Sequence, residues 1–144
     1  MVQFYENGNS YVVLAVSDKL IENFLHGVAY VIDSHVLGNS RDYDTWQELN
    51  PWKFDYDYNY YEYESHGDSE WLSDDDRRFV DAYAMTFPHE DRCRTFVYAM
   101  LDDTGAYFHT DEMQAKLKRV CQGIRESYGY EGNGQSYRWE QYLY

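Results

Sequence analysis

The feature that most constrains the fold is a run of apolar residues at helical spacing early in the chain. Ser17 and Asp18 can accept hydrogen bonds from a first helical turn, and Gly38-Asn39 is typical of a helix end. Between them, apolar residues recur every three or four positions: Leu20, Ile21, Phe24, Leu25, Val28, Val31 and Ile32. The sequence therefore predicts a long helix over residues 17–37.

A turn signal precedes this helix. Asn7-Gly8 separates the apolar stretches Val2–Tyr5 and Tyr11–Val16. Asn-Gly is favoured in tight hairpin turns, where both central residues take positive φ. We therefore expect a β-hairpin over residues 2–16.

The region after the long helix, residues 41–72, is predicted to be irregular. Within it, residues 54–64 alternate acidic and aromatic side chains. A period of two indicates an extended path, with tyrosines on one face and acids on the other.

Three further helices are predicted over residues 73–129. The first would be capped by Ser73–Asp76 and end near Met85, and the second would begin at Pro88, because proline suits the first helical turn. The third would follow the cap Thr110-Asp111 and turn these residues inward: Met113, Leu117, Val120, Cys121 and Ile124.

These elements predict one α+β domain, residues 1–144, dominated by helix, since a single domain typically has about 100–150 residues. Its 17 Tyr, 7 Phe and 4 Trp can cover a core while their polar tips reach water. Residues 130–144 form a tail, and its aromatic stretch Tyr137–Tyr144 is expected to dock as a short segment. Cys93 and Cys121 lack CxxC spacing and are predicted to be buried free thiols; a disulfide between two helices is the alternative.

The charge excludes several kinds of partner. The chain has 26 Asp plus Glu against 12 Lys plus Arg, a formal net charge of −14. Such a field repels phosphate backbones and anionic membranes, so we expect no nucleic-acid partner and no membrane surface. The longest apolar run, Tyr11–Val16, is too short to span a bilayer, and no signal peptide is recognisable. A soluble chain without membrane insertion is therefore predicted.

A row of functional groups lies beside the apolar face of the predicted long helix. Glu22, His26, Tyr30 and Asp33 follow at steps of four, four and three, which places them on one stripe. His35 is half a turn away from His26, so the two cannot share a metal. From the residues alone, His26 is more often a partly buried structural histidine than a ligand, because one histidine with scattered carboxylates is a weak metal signal.

Acids and bases also cluster where the helix at Pro88 begins. Glu90 and Asp91 would complement the helix dipole there, and Asp91 and Arg94 have the spacing of an i,i+3 ion pair. This structural interpretation is sufficient without any ligand.

A calcium loop is not predicted, although Asp55-x-Asp57-x-Asn59 imitates the opening of one. Tyr60 stands in place of the required glycine and His66 in place of the final glutamate.

The stretch Asn23 to Asp33 resembles the active-site helix of bacterial zinc metallopeptidases of the zincin superfamily, of the anthrax lethal factor type. In that family the helix carries His-Glu-x-x-His followed by an apolar pair and Asp. Tyr43–Pro51 and Phe79–Arg92 also resemble the family, and the latter belongs where a second helix supplies a glutamate ligand. The resemblance covers roughly residues 11–143 and implies a zincin-like fold, with the N-terminal hairpin as the remnant of a larger sheet.

Carried over by position, the resemblance places His26 at the first zinc histidine and Glu90 at the glutamate ligand. Gly27 stands where the general-base glutamate belongs, and Tyr30 where the second histidine belongs. A zincin needs two imidazoles for the metal and the glutamate to deprotonate its water. The resemblance therefore implies a vestigial metal site without a catalytic residue, in which Tyr30 hydrogen-bonds His26 or Glu90.

The implied function is an inactive metallopeptidase-like domain, retained as a peptide- or protein-binding or structural module without a cofactor. The alternative is a residual zinc hydrolase that uses Glu22, His26, Asp33 and Glu90 as ligands. A plain structural domain with no retained site is a third hypothesis. The resemblance also suggests a bacterial origin and a secreted or surface location.

Overall fold

The computed structural model describes residues 2–39, 41–129 and 134–144; residues 130–133 of the predicted tail lie outside this part. The described chain is α+β and dominated by helix, with one two-stranded antiparallel sheet. Its strands and α-helices are β1 Val2–Glu6, β2 Asn9–Val13, α1 Leu20–Asn39, α2 Tyr58–His66, α3 Pro88–Leu101 and α4 Asp111–Tyr128. None of these helices combines the length and apolar character needed to cross a membrane.

The predicted hairpin is present. Strands β1 and β2 pair from Val2 opposite Val13 to Glu6 opposite Asn9. Asn7 and Gly8 take φ values of 52° and 81°, the positive region that a tight two-residue turn requires.

Helix α1 is confirmed, but the face it buries is not the predicted one. Ile21 is 68% exposed and Phe24 is 49% exposed, although both belong to the apolar stripe. The buried face instead carries His26, Ala29 and Asp33. Helix α3 packs against this face, and its Glu90 and Arg92 pair with His26 and Asp33 there.

The prediction of an extended path over residues 54–64 is wrong from Tyr58 onward, because α2 occupies residues 58–66. Tyr58 donates to Glu62 at 3.1 Å and Tyr60 to Glu64 at 2.9 Å, so acids and tyrosines four positions apart pair along the helix. Gly67 ends the helix in the left-handed conformation, φ 80°, that favours glycine. Alternation of acids and tyrosines is therefore equally compatible with a solvent-exposed helix.

The helix predicted from Ser73 to Met85 is also absent; the described backbone has turns and one 3-10 turn, Tyr83–Met85. Phe79 and Val80 are both buried in this segment, although it is not helical. The carbonyl of Arg78 accepts a hydrogen bond from the Lys116 amine at 2.8 Å instead of one from a following helical turn.

Helix α3 forms the centre of the core, with nine of its fourteen residues buried. One side packs against α1 and Trp46, and the other against a cluster built on Phe79 and Phe108. All five residues predicted to point inward from α4 are buried, which confirms that helix face. Cys93 and Cys121 are buried free thiols, as predicted, and burial raises the pKa of Cys121 to about 12.

The described part of the tail docks as a short segment, as predicted. Residues Arg138–Glu140 form a 3-10 turn, and Glu140 binds the Arg125 guanidinium at 2.5 Å and 2.7 Å. Gln141 donates to the carbonyl of Ala99 at 3.0 Å, which ties the tail to α3.

Substituting Thr110 with alanine is expected to lower the free energy of unfolding by about 1–2 kcal/mol. Its hydroxyl accepts from the backbone N–H of Met113 at 3.3 Å and donates to the carbonyl of Arg77 at 2.8 Å. Urea unfolding measures the change. Thr110→Ser keeps the hydroxyl and should stay close to wild type; equal losses in both variants would argue against the cap.

Candidate functional site

Three side chains singled out in the sequence meet between α1 and α3. His26 Nε2 lies 2.9 Å from Glu90 Oε2, and the Tyr30 hydroxyl donates to the other carboxylate oxygen, Oε1. The rings of His26 and Tyr30 stack with centroids 5.2 Å apart. The Glu90 carboxylate is thus held between an imidazole and a phenol that both come from α1.

Local sequence explains this convergence. A spacing of four places His26 and Tyr30 one above the other on the same face of α1. Pro88 begins α3, which puts Glu90 in its first turn, where a negative charge complements the helix dipole. Glu90 is 4% exposed and His26 is 9% exposed, so the group is largely shielded from water.

An aromatic border surrounds this cluster, formed by Tyr83, Phe87 and His89. The Tyr83 ring meets His26 edge-on at 6.2 Å, and His89 lies between Phe87 and Tyr30, with ring centroids 5.5 Å from each. Tyr83 and Phe87 remain roughly half exposed. Burial lowers the pKa of His89, which favours its neutral form. These residues were not predicted as site residues. Phe87 and His89 lie within three positions of Glu90 in the sequence, which was the available signal for them; Tyr83 had no such signal.

The two accessory candidates, Glu22 and Asp33, lie outside the cluster. Asp33 receives two hydrogen bonds from Arg92, at 2.6 Å and 2.9 Å, and both side chains are nearly fully buried. Glu22 accepts from Arg94 at 3.0 Å, and Arg94 also binds Asp81. Both acids therefore join α1 to α3 as ion-pair partners.

The predicted ion pair between Asp91 and Arg94 is wrong. Asp91 turns to the opposite side of α3, where its Oδ2 accepts from Lys116 at 2.7 Å, Tyr56 at 2.7 Å and Trp46 at 3.1 Å. Burial raises the pKa of the Asp91 carboxyl, and the Lys116 ammonium opposes that shift. Lys116 was not predicted from the sequence to be buried, although it lies three positions after Met113 and four before Val120, on the inward face of α4.

The cluster does not fit a zincin metal site. It contains one imidazole, that of His26, and both oxygens of its carboxylate are already bonded to His26 and Tyr30. The second imidazole nearby, His89, has its Nε2 3.7 Å from Glu90 Oε1, beyond hydrogen-bond distance. Phenols ordinarily have a pKa of about 10 and so replace an imidazole donor poorly at neutral pH. Within the described ranges, no three His, Cys, Asp or Glu side chains are grouped to hold a metal ion.

Comparisons with protein-family models, curated proteins and solved structures find no match to this chain. The zincin resemblance of the two helices therefore stays a prediction.

Proposed function

We propose that this chain is an inactive zincin-type metallopeptidase domain, in which a His26–Tyr30–Glu90 cluster has replaced the zinc site, and that it serves as a binding or structural module. The contact of Glu90 with both α1 residues is the observation that carries this proposal. The three positions are those that the family resemblance assigns to zinc ligands. If the chain shares an origin with such a site, these three side chains must lie together. They do, although Glu90 is 64 positions from His26 and 60 from Tyr30 in the sequence.

Loss of hydrolytic activity follows from the residue types. Gly27 has no side chain to take a proton from a water molecule, and a general base contributes about 10²–10⁴ to the rate. Tyr30 occupies the place of the second imidazole and donates a hydrogen bond to Glu90. The remaining groups can hold one another in place, but they cannot generate a metal-bound nucleophile.

The cluster has a structural use in its present form. A buried carboxylate without partners is strongly unfavourable, and here each oxygen of Glu90 has one. The contacts join the middle of α1 to the first turn of α3. The half-exposed rings of Tyr83 and Phe87 border this rigid position and provide contact area for a peptide or protein at little cost in side-chain entropy.

The alternative hydrolase would need Glu22 and Asp33 as ligands beside His26 and Glu90. Both acids are bound to arginines on α3, and the Asp33 pair with Arg92 is buried. If either acid moved toward a metal, its arginine would lose a carboxylate partner. For the buried Asp33–Arg92 pair this would cost several kcal/mol of folding free energy. The arginine contacts therefore favour the inactive domain.

The wild-type protein is expected to keep the same melting temperature in excess chelator and in added zinc, because only binding to the folded state raises stability. Scanning calorimetry measures the temperature, and elemental analysis measures the metal content after dialysis. His26→Asn is the matched control, because it lacks the candidate ligand and so binds only the zinc that is held non-specifically. The hydrolase would be favoured instead if the wild-type protein held one zinc ion per chain and lost melting temperature on chelation, while His26→Asn held no zinc.

A further inference from the structure

A tyrosine-lined groove runs along α2, away from the His26–Tyr30–Glu90 cluster. Its main cavity has a volume of about 470 Å³ and is lined by Tyr58, Tyr61 and Glu62 from the helix and by Asp55 and Asp57 from the preceding segment. A second cavity, of about 240 Å³, shares Glu62 and adds residues that follow the helix, among them Asp68, Glu70 and Trp71. We call these two cavities together the α2 groove.

The helix face in this groove is not covered by the rest of the described chain. Tyr58, Tyr61, Glu62 and Ser65 follow at i, i+3, i+4 and i+7, so they form one stripe. Tyr58 is 61% exposed and Tyr61 is 71% exposed, and no residue of α2 is fully buried. Two neighbouring aromatic side chains that remain this open are typical of a binding surface.

The groove is nevertheless anchored. Tyr56, at its base, donates to Asp91 at 2.7 Å and accepts from Asn50 at 2.8 Å and Trp46 at 3.1 Å. The backbone N–H of Asp57 donates to the carbonyl of Met85 at 3.0 Å. A surface fixed in this way loses little conformational entropy when a partner binds.

The local charge selects the kind of partner. No Lys or Arg of the described chain lines either of the two cavities, whereas five acidic residues line them: Asp55, Asp57, Glu62, Asp68 and Glu70. Lys53, which precedes them in the sequence, has its amine over the ring of Trp52 at 5.3 Å. Carboxylates attract a cation to the groove, and the faces of exposed tyrosines hold a guanidinium or ammonium by cation–π contact.

We infer that the α2 groove is a docking surface for a basic, arginine-bearing peptide segment of a partner protein. The inference goes beyond the proposed function, because it needs neither the zincin ancestry nor the vestigial cluster. Guanidinium groups fit better than neutral side chains, since they can stack on Tyr58 or Tyr61 while they pair with Glu62.

Fluorescence anisotropy with a labelled Gly-Arg repeat peptide and its citrulline counterpart tests this inference. Citrulline keeps the shape of arginine but has no charge, so we expect at least ten-fold weaker binding. Tyr61→Leu should weaken arginine-peptide binding about two- to five-fold, the effect of one exposed cation–π contact, whereas Tyr61→Phe should keep it. Tyr5→Leu, at an exposed tyrosine of the hairpin, should have no effect.

A matched pair of charge variants separates the groove from the overall charge of the protein. Asp57→Asn/Glu62→Gln should weaken binding about three- to ten-fold, while Asp18→Asn/Glu126→Gln removes two exposed charges elsewhere and should leave it nearly unchanged. Equal losses in both double variants, or equal affinity for the citrulline peptide, would overturn the inference. Self-association of wild type that Tyr61→Leu abolishes would also overturn it, in favour of a second copy as the occupant.

Discussion

Replacing Tyr30 with histidine is expected to give this chain a zinc site with one ion per molecule. His26 and the new imidazole would lie four positions apart on one helix face, opposite the Glu90 carboxylate that both residues now contact. An imidazole is shorter than a phenol, which opens room for an ion at Zn–N distances of about 2.0–2.1 Å. With free zinc about 100-fold above its dissociation constant, the gain is about 2.7 kcal/mol, or roughly 5–10 °C in melting temperature.

Isothermal titration with zinc and scanning calorimetry measure this gain, and circular dichroism establishes that each variant is folded. Gly27→Glu alone is the matched control: it restores the general base but no ligand, so it should bind no more zinc than wild type. Gly27→Glu/Tyr30→His should bind as Tyr30→His does, and removing His26 in that background should abolish binding. Folded variants with histidine at position 30 that take up no zinc would contradict the assignment of these positions to a former metal site.

Elements with a local signal were predictable from the sequence. The hairpin follows from Asn7-Gly8, the start of α3 from Pro88, and α4 from the Thr110 cap and its inward apolar residues. Each of these signals acts within a few residues, through φ preferences or backbone hydrogen bonds. The prediction of a helix after Ser73 was wrong, because contacts from α4 hold that segment in turns. One of them is the hydrogen bond from Lys116 to the carbonyl of Arg78.

The contact of His26 with Glu90 was predicted only through the family resemblance, because periodicity cannot bring together residues 64 positions apart. Periodicity also selected the wrong face of α1, since it assumes that apolar residues are the buried ones. Here the buried face also carries polar residues, and Arg92 and Glu90 on α3 compensate Asp33 and His26. The burial of these charged groups depends on ion pairs between segments that are distant in the sequence. A local pattern in one sequence cannot predict such pairs.

Removing the ammonium of Lys116 is expected to produce the largest loss of stability, about 3–5 kcal/mol for Lys116→Met. Lys116 and Asp91 are both 0% exposed, and the amine also lies 3.5 Å from the centroid of the Phe79 ring. Methionine fills a similar volume, so the loss comes mainly from a buried carboxylate that keeps Tyr56 and Trp46 as donors but has no cation beside it. Urea unfolding at pH 7 measures the change.

The loss caused by Lys116→Met should also depend on pH, in a direction set by Asp91. Burial already raises the pKa of this carboxyl, and Lys116 is the first of the groups that oppose the shift, so the variant raises it further. An acid whose pKa is higher folded than unfolded, where it is about 3.9, stabilises the fold at low pH and destabilises it as pH rises. The deficit relative to wild type should therefore shrink between pH 7 and pH 4.5. Asp91→Asn/Lys116→Met, which has no charge to bury, should recover most of the stability at both pH values; a deficit that is independent of pH would mean that Asp91 is not held ionised in the fold.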